Sequence, residues 1–262
     1  MILDKIINNK KKEIAFLKKA RPLPVLKKEL SSFKFRKNIF LKALKCAKTI
    51  AVIAEIKRRS PSKGILRKNF KPLEIAKEYE RAHASALSIL TDRKFFGGSS
   101  AIFKSVRCVT KLPMLRKDFI LEEYQVYESR LMGADAILLI AGILSFGQLR
   151  SLSRSAQRLG LDCLYEVHTP NEVKKILPLK PKIVGINNRN LRTFKVDIHT
   201  TKRLIKKLPK SAFVVSESGI QSHEDLVYLK KMGVKAALVG ESLMKQKSPG
   251  AALQKLLGDL RG

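Results

Sequence analysis

Short β-branched runs recur along this chain with helix-period segments between them, and that alternation restricts the fold more than any other feature. The runs fall at 50–56, 86–90, 113–116, 136–140, 161–167, 183–186, 213–215 and 236–239. Helix starts separate them. Thr169-Pro-Asn-Glu172 reads as a capping box with Pro at the first helical position. Ser222-His-Glu-Asp225 and Ser248-Pro249 carry N-cap residues, and Pro72 opens a helix bearing Ile75, Ala76 and Tyr79. Strand then helix, eight times over, calls for parallel strands joined by helical crossovers. Eight such units predict a closed α/β architecture, the (β/α)8 TIM barrel, ahead of a doubly wound open sheet. Residues 3–19 and 35–47 read as two helices before the first strand. Residues 1–48 then form an N-terminal helical extension, and 1–262 a single barrel domain without a linker or low-complexity stretch.

With 262 residues, 45% of them hydrophobic, the chain can bury a full core. No apolar run approaches the ~18 residues of a membrane span; the longest covers 136–144. Met1-Ile-Leu-Asp4 gives way to the polar Asn8-Asn-Lys-Lys-Lys-Glu13 with no apolar signal region. The expectation is a cytoplasmic protein with no membrane partner. Cys46, Cys108 and Cys163 have neither disulfide nor metal-ligand spacing and read as small core residues. The net charge of +32, from 54 basic and 22 acidic residues, attracts polyanions in general. Lysines are spread over nearly every helical segment, no nucleic-acid-binding module is recognisable, and aromatics are only 6%. The charge therefore reads as a solvated surface with no specific nucleic-acid partner.

In such a barrel, chemistry sits at the C-terminal ends of the strands. The first run ends in Glu55-Ile-Lys57-Arg-Arg-Ser60-Pro-Ser-Lys-Gly64. Alternate strand residues share a face, so Glu55 and Lys57 point inward above Ile53. Opposite charges on a buried face are costly unless a site uses them. The second run ends in Thr91-Asp92, the third in Leu115-Arg-Lys117-Asp118-Phe119, and the fifth in Leu164-Tyr-Glu166. The sixth ends in Gly185-Ile-Asn187-Asn-Arg189-Asn-Leu191, the seventh in Ser216-Glu217-Ser218-Gly219, and the eighth in Val239-Gly240-Glu241-Ser242. Three acids (Glu55, Glu166, Glu217) and two lysines (Lys57, Lys117) thus converge on one mouth, a set suited to proton transfer. Gly219 and Gly240 follow neighbouring strands, and a short helix after Gly240 would aim N–H groups at a phosphate. His168 reads as a candidate base or, more simply, as the residue flanking the next helix cap; His83, His199 and His223 read as surface. One aromatic of Phe95-Phe-Gly-Gly98 is placed near the site. No HExxH, GxxxxGK or GxGxxG occurs, so no metal, nucleotide or other cofactor is expected.

These segments together resemble the indole-3-glycerol phosphate synthase family of tryptophan biosynthesis. The resemblance rests on Ile53 through Gly64, Ser88-Ile-Leu-Thr-Asp92, Leu115-Arg-Lys-Asp-Phe-Ile120, Tyr124-Gln-Val-Tyr127, Gly133-Ala-Asp-Ala136, Gly185 through Phe194, Val215-Ser-Glu-Ser-Gly-Ile220 and Leu238-Val-Gly-Glu-Ser-Leu-Met244. It implies the barrel, the helical extension, and a cofactor-free lyase. That activity closes the ring of 1-(2-carboxyphenylamino)-1-deoxyribulose 5-phosphate with loss of carbon dioxide and water, giving indole-3-glycerol phosphate. By the family pattern Lys117 is the general acid on the carbonyl oxygen, and Glu166 the acid–base partner in dehydration. Lys57 pairs with the substrate carboxylate, Glu55 and Glu217 orient lysines and substrate, and Asn187 binds the reacting hydroxyl. Ser60 and Arg189 line the carboxylate region and Phe119 packs on the ring. Ser218, Gly219, Gly240 and Glu241 hold the phosphate through their backbone. Other enzymes of tryptophan biosynthesis are candidate partners. One departure is His83-Ala-Ser85, where a glycine-rich turn is commoner. The competing readings are a sister phosphate barrel such as phosphoribosylanthranilate isomerase, which wants a Cys and Asp pair, and a non-catalytic RNA-binding protein favoured by charge alone.

Overall fold

The computed structural model describes residues 2–33, 35, 37–190 and 194–258. Leu191, expected at the end of the sixth strand segment, lies outside the described residues with Arg192 and Thr193. Among the described residues, eight parallel strands close into a barrel: β1 Ala51–Ile56, β2 Ala86–Leu90, β3 Met114–Lys117, β4 Ala136–Ile140, β5 Asp162–Val167, β6 Ile183–Asn187, β7 Phe213–Glu217 and β8 Ala236–Val239. Neighbours in the ring are neighbours in the chain, and β1 closes it by pairing with both β2 and β8.

Helices α1 Ile2–Ala20, α2 Leu23–Leu30 and α3 Ile39–Lys45 precede β1. The crossovers are α4 Pro72–Arg81, the short α5 Arg93–Phe96 with α6 Ser100–Arg107, α7 Glu123–Leu131, α8 Phe146–Arg158, α9 Pro170–Ile176, α10 His199–Ile205 and α11 His223–Lys231. After β8 come α12 Glu241–Met244 and α13 Pro249–Leu257. The extension thus holds three helices where the sequence suggested two. The added one, α2, has Pro22 before it and Pro24 in its first turn, and buries Leu26 and Leu30 against α7. The caps at Ser222 and Ser248 form as expected. At α9, Thr169 accepts from the Glu172 N–H, but the Glu172 carboxylate reaches one residue further back, to the His168 N–H at 2.6 Å. Cys46 and Cys108 are exposed rather than in the core, and Cys163 is half-buried. Among the described residues no helix is long and apolar enough to cross a membrane.

The pairing register sets the barrel interior. Ile53 faces Leu238, Glu55 faces Ser88, Leu115 faces Ala136, Glu166 faces Gly185, and Asn187 faces Glu217. With a stagger of about one residue per strand, four inward side chains from alternate strands share each level. Ile53, Leu115, Leu164 and Val215 make one level, from the odd strands. Ser88, Leu138, Gly185 and Leu238 make the next, from the even strands. Glu55, Lys117, Glu166 and Glu217 make the level above, from the odd strands again. The lower levels are buried apolar core, where each fully buried Leu or Ile contributes about 1.5–3 kcal/mol. The level above them is charged. Residues of opposite parity, such as Val52, Ile89, Leu139 and Val184, pack outward against the helices.

The extension grips the barrel at both ends. Phe40, Leu41 and Leu44 of α3 join the cluster of Ala51, Ile183, Phe213 and Ala236, and the Leu41 N–H donates to Asp162 Oδ2 at 3.0 Å. Where the strands end, the buried Lys10 of α1 places its ammonium 3.1 Å from Asp92, 3.0 Å from Asp118 and 2.7 Å from Glu13. Asp118 also accepts from Thr91 at 2.6 Å and pairs with Arg116 at 3.1 Å.

Candidate active site

A cavity of about 1390 Å³ opens at the C-terminal end of the barrel. All thirteen residues singled out from the strand ends line it: Glu55, Lys57, Ser60, Lys117, Phe119, Glu166, Asn187, Arg189, Glu217, Ser218, Gly219, Gly240 and Glu241. Its floor is the charged level. Lys117 Nζ donates to Glu166 Oε2 at 3.0 Å and lies 3.4 Å from Glu217 Oε2. Neither oxygen of Glu217 completes a hydrogen bond to the protein. Glu55 pairs with Lys57 at 2.5 Å.

These contacts fix the protonation of the floor. Burial opposes the charge on Lys117, but Glu166, Glu217 and Glu55 outweigh it and hold the ammonium well above the usual lysine range. Burial likewise disfavours ionised Glu166, yet Lys117 and His168 hold this carboxyl well below its usual range. Glu217 goes the other way. Burial, against Lys117 but with Glu166 and Glu55, pushes it up to about 8. Near neutral pH the floor therefore presents an ammonium at Lys117, a carboxylate at Glu166 and an uncharged acid at Glu217. Carboxyls driven apart in this way can serve as base and acid side by side.

Two glycines make room for these acids. A Cβ on Gly185 would collide with Glu217 Oε1, and one on Gly240 with Glu55 Oε1. The sequence reading assigned Gly240 to a phosphate site; the nearest demand on it is the side chain of Glu55.

The rim is more varied. Phe119 and Phe96 form an aromatic wall, ring centres 6.1 Å apart, so Phe96 is the aromatic of its pair that reaches the cavity. A two-strand hairpin, Arg59–Ser60 against Gly64–Ile65, stiffens the loop after β1. Ser60 is buried there with its hydroxyl unpartnered. Arg189 bridges the rim, donating to Ser62 at 3.3 Å and to Glu241 at 2.9 Å; Lys245 pairs with Glu241 at 2.7 Å. Asn187 Oδ1 accepts from the Arg189 N–H at 3.0 Å. Ser218 and Gly219 both have left-handed backbones, φ 67° and 82°. Gly240 is the N-cap of α12, whose first N–H groups have no intrahelical acceptors.

Sequence reasoning missed two supporting groups. Lys10 is one, although its position between Ile6 and Ile14 at i, i+4 and i+8 marks it as a lysine within an apolar stripe. The second is a buried network in which Asn188 Nδ2 donates to Ser216 Oγ and the Ser218 carbonyl, both at 3.0 Å, while Thr201 bonds Asn188 Oδ1 at 2.8 Å. It fixes the left-handed Ser218. His168, named in the sequence as a candidate base or cap-flanking residue, has its ring 3.4 Å from Glu166 as well as flanking the α9 cap.

A family model described as indole-3-glycerol phosphate synthase matches residues 3–256. The chain is 49% identical over 245 residues to the indole-3-glycerol phosphate synthase of Caldanaerobacter subterraneus subsp. tengcongensis, covering 94% of each chain. It is 46% identical over 260 residues to that of Polaromonas naphthalenivorans, covering 98% of this chain and 99% of the relative. Among solved structures it is similar to 3-hexulose-6-phosphate synthase from Salmonella typhimurium, with TM-score 0.65 at 11% identity over 81% of this chain and 98% of that one. It is also similar to tryptophan synthase subunit alpha from Legionella pneumophila, with TM-score 0.62 at 13% identity over 84% and 97%. At those identities the structural likeness concerns the barrel alone.

Proposed function

The chain belongs to the indole-3-glycerol phosphate synthase family, and from that premise we propose a role for each side chain of its cavity. The reaction is ring closure of 1-(2-carboxyphenylamino)-1-deoxyribulose 5-phosphate, with loss of carbon dioxide and water, to indole-3-glycerol phosphate. Carbon–carbon bond formation at the ketone turns its oxygen into an alkoxide. Lys117 is the proton donor for that oxygen. The observation that carries this is the ion cluster on the floor, where Glu166 at 3.0 Å, with Glu55 beyond it, keeps Lys117 protonated across the neutral range. An alkoxide is basic enough to take the proton, and preorganised charge needs no rearrangement as it forms.

Carbon dioxide then leaves and aromaticity returns to the benzene ring. Lys57 and Arg189, with the Ser60 hydroxyl, hold the departing carboxylate, and Phe119 with Phe96 packs on the ring. Dehydration expels the former ketone oxygen as water and removes a proton from the new five-membered ring. Glu166 is the base for that proton, and Lys117 and Glu217 supply protons on the oxygen side. Asn187 orients the hydroxyl, and Glu55 orients Lys57. The backbone of Ser218, Gly219, Gly240 and Glu241 holds the phosphate.

The same reading puts the enzyme in the cytoplasm, without a specific nucleic-acid partner, and with other enzymes of tryptophan biosynthesis as candidate neighbours. The test is turnover of Lys117→Ala followed by indole fluorescence. Loss of a general acid lowers kcat by about 10²–10⁴ with the fold intact. Near-normal turnover of the folded variant would remove Lys117 from the acid role.

A further inference from the structure

We propose that His168 and Glu166 share a proton, and that His168 sets the charge on Glu166 from the side facing away from the substrate. His168 follows the end of β5. Its Nδ1 lies 2.9 Å from the carbonyl oxygen of Asn187. A carbonyl can only accept, so Nδ1 carries a hydrogen. Its Nε2 is buried, makes no regular hydrogen bond, and stands 3.4 Å from Glu166 Oε1. With Nδ1 committed, a bare Nε2 would turn its lone pair toward the lone pairs of a carboxylate. The contact is favourable only when a proton lies between them. That proton sits on nitrogen, as imidazolium with carboxylate, or on oxygen, as imidazole with carboxylic acid. Exchange between the two forms breaks one N–H bond and makes one O–H bond, with no change in total charge.

The surroundings choose the resting form. Lys117 from β3 favours the ionised Glu166, and Glu217 from β7 and Glu55 from β1 are the other acids on the same floor. Glu172 of α9 faces His168 and favours the imidazolium. Burial works against charging the ring, and Glu166 outweighs it, so the His168 pKa is raised. The resting pair is imidazolium and carboxylate. Of the two cationic partners of Glu166, Lys117 lines the cavity and His168 does not, yet the His168 side chain keeps 13% exposure. Substrate seated on the floor covers Lys117 and leaves His168 in reach of solvent. His168 then stays beside Glu166 from outside the cavity, its Nε2–H holding the carboxylate ready as a base while Lys117 serves the substrate oxygen. His168 is thus a positioning residue, and this inference rests on the acid–base role proposed for Glu166.

Ring ¹⁵N NMR of His168 in the ligand-free enzyme tests the pair without catalysis, with His168→Gln providing the assignment. The expected result is a hydrogen on Nδ1 throughout and a His168 midpoint that moves to lower pH in Glu166→Gln. An unchanged midpoint overturns the pair. Steady-state pH profiles give the second readout. His168→Gln should lower kcat by about ten- to a hundredfold, less than loss of a direct acid–base group, with KM within about threefold. It should also lose the alkaline limb set by deprotonation of the pair. A kcat profile matching wild type in shape and height overturns the proposal. Full turnover by Glu166→Gln would instead remove the acid–base role of Glu166, while the NMR result would still decide whether the pair exists.

Discussion

Gly185→Ala should damage the site through a single methyl group. Gly185 is buried at the level just beneath the charged floor, in register with Glu166 and Val215. A Cβ there would overlap Glu217 Oε1 and sit 3.3 Å from Leu164 Cδ1. Its φ is not left-handed, so alanine carries no backbone penalty and gains ~0.4–1 kcal/mol by restricting the unfolded chain. Overpacking costs about 1–3 kcal/mol and outweighs that gain. The net expectation is about 1–2 kcal/mol of destabilisation, or a fall of ~2–8 °C in Tm for a chain of this size. The carboxyl must swing away from its place 3.4 Å from Lys117, and a misplacement of about 1 Å can lower turnover by ~10²-fold. A double-mutant cycle isolates the cause. In a Glu217→Ala background the methyl group meets no carboxyl, and the added cost of Gly185→Ala should vanish to within about 0.5 kcal/mol. The measurements are urea unfolding and kcat for the four proteins. Equal destabilisation in both backgrounds would refute the claim that Gly185 exists to admit Glu217.

His83 has φ 62° at the end of α4, in the position that Gly133, Gly160 and Gly233 take after α7, α8 and α11, with the same paired N–H bonds. His83→Gly should therefore stabilise by up to about 1 kcal/mol in urea unfolding, left-handed strain outweighing the unfolded-state entropy of glycine; destabilisation would contradict that. Lys10→Met should cost about 3–5 kcal/mol, because it leaves Asp92 and Asp118 buried without their cation, whereas Lys10→Met with Asp92→Asn and Asp118→Asn should recover part of the loss. Glu217 keeps its proton up to about pH 8 in the folded state but only up to its ordinary 4.5 in the unfolded state, so it makes stability fall as pH rises between those values. The stability gain of Glu217→Gln over wild type should accordingly grow from pH 5 to pH 8 and level off above, as read by denaturation at each pH; a pH-independent difference would argue that Glu217 is ionised throughout.

The strands were legible because most are apolar runs buried on both faces, and their ends ran short in an instructive way. The runs at 113–116, 183–186 and 213–215 stop before Lys117, Asn187 and Glu217, while backbone pairing continues through those residues. Hydrophobic pattern reports where side chains are apolar, and ladder hydrogen bonds are indifferent to side-chain charge. The residues that overrun the pattern are those of the site. The helix α2 escaped notice because Pro24 and its eight-residue length hide a buried pair, Leu26 and Leu30, that only its neighbour α7 completes. Individual site residues could be read from parity at strand ends, but their mutual electrostatics could not. Glu166 and Glu217 look alike in sequence; the closer approach of Lys117 and the presence of His168 favour charge on the first, while Glu166 and Glu55 oppose it on the second. The Asn188, Ser216 and Thr201 network joins the residue after β6 to β7 and α10 and leaves no local trace.

The charge of the molecule and the charge of the site are separate matters. Across the whole sequence basic residues exceed acidic ones by 32. Around the cavity the two nearly balance, seven basic to six acidic. Lys57, Lys63, Lys117, Arg189, Lys245, Lys247 and Lys255 are met there by Glu55, Asp118, Glu166, Glu217, Glu224 and Glu241. The excess is therefore carried by the remaining surface, where lysines stand in water and their field decays within a Debye length of about 8 Å at physiological salt. Such a field can raise the encounter rate of an anionic substrate, and it does so without regard to the sequence or shape of any polyanion. What it cannot do is choose which carboxyl on the floor is ionised. That choice is made at 3 Å, where Lys117 touches Glu166 more closely than Glu217, and screening by salt scarcely reaches it.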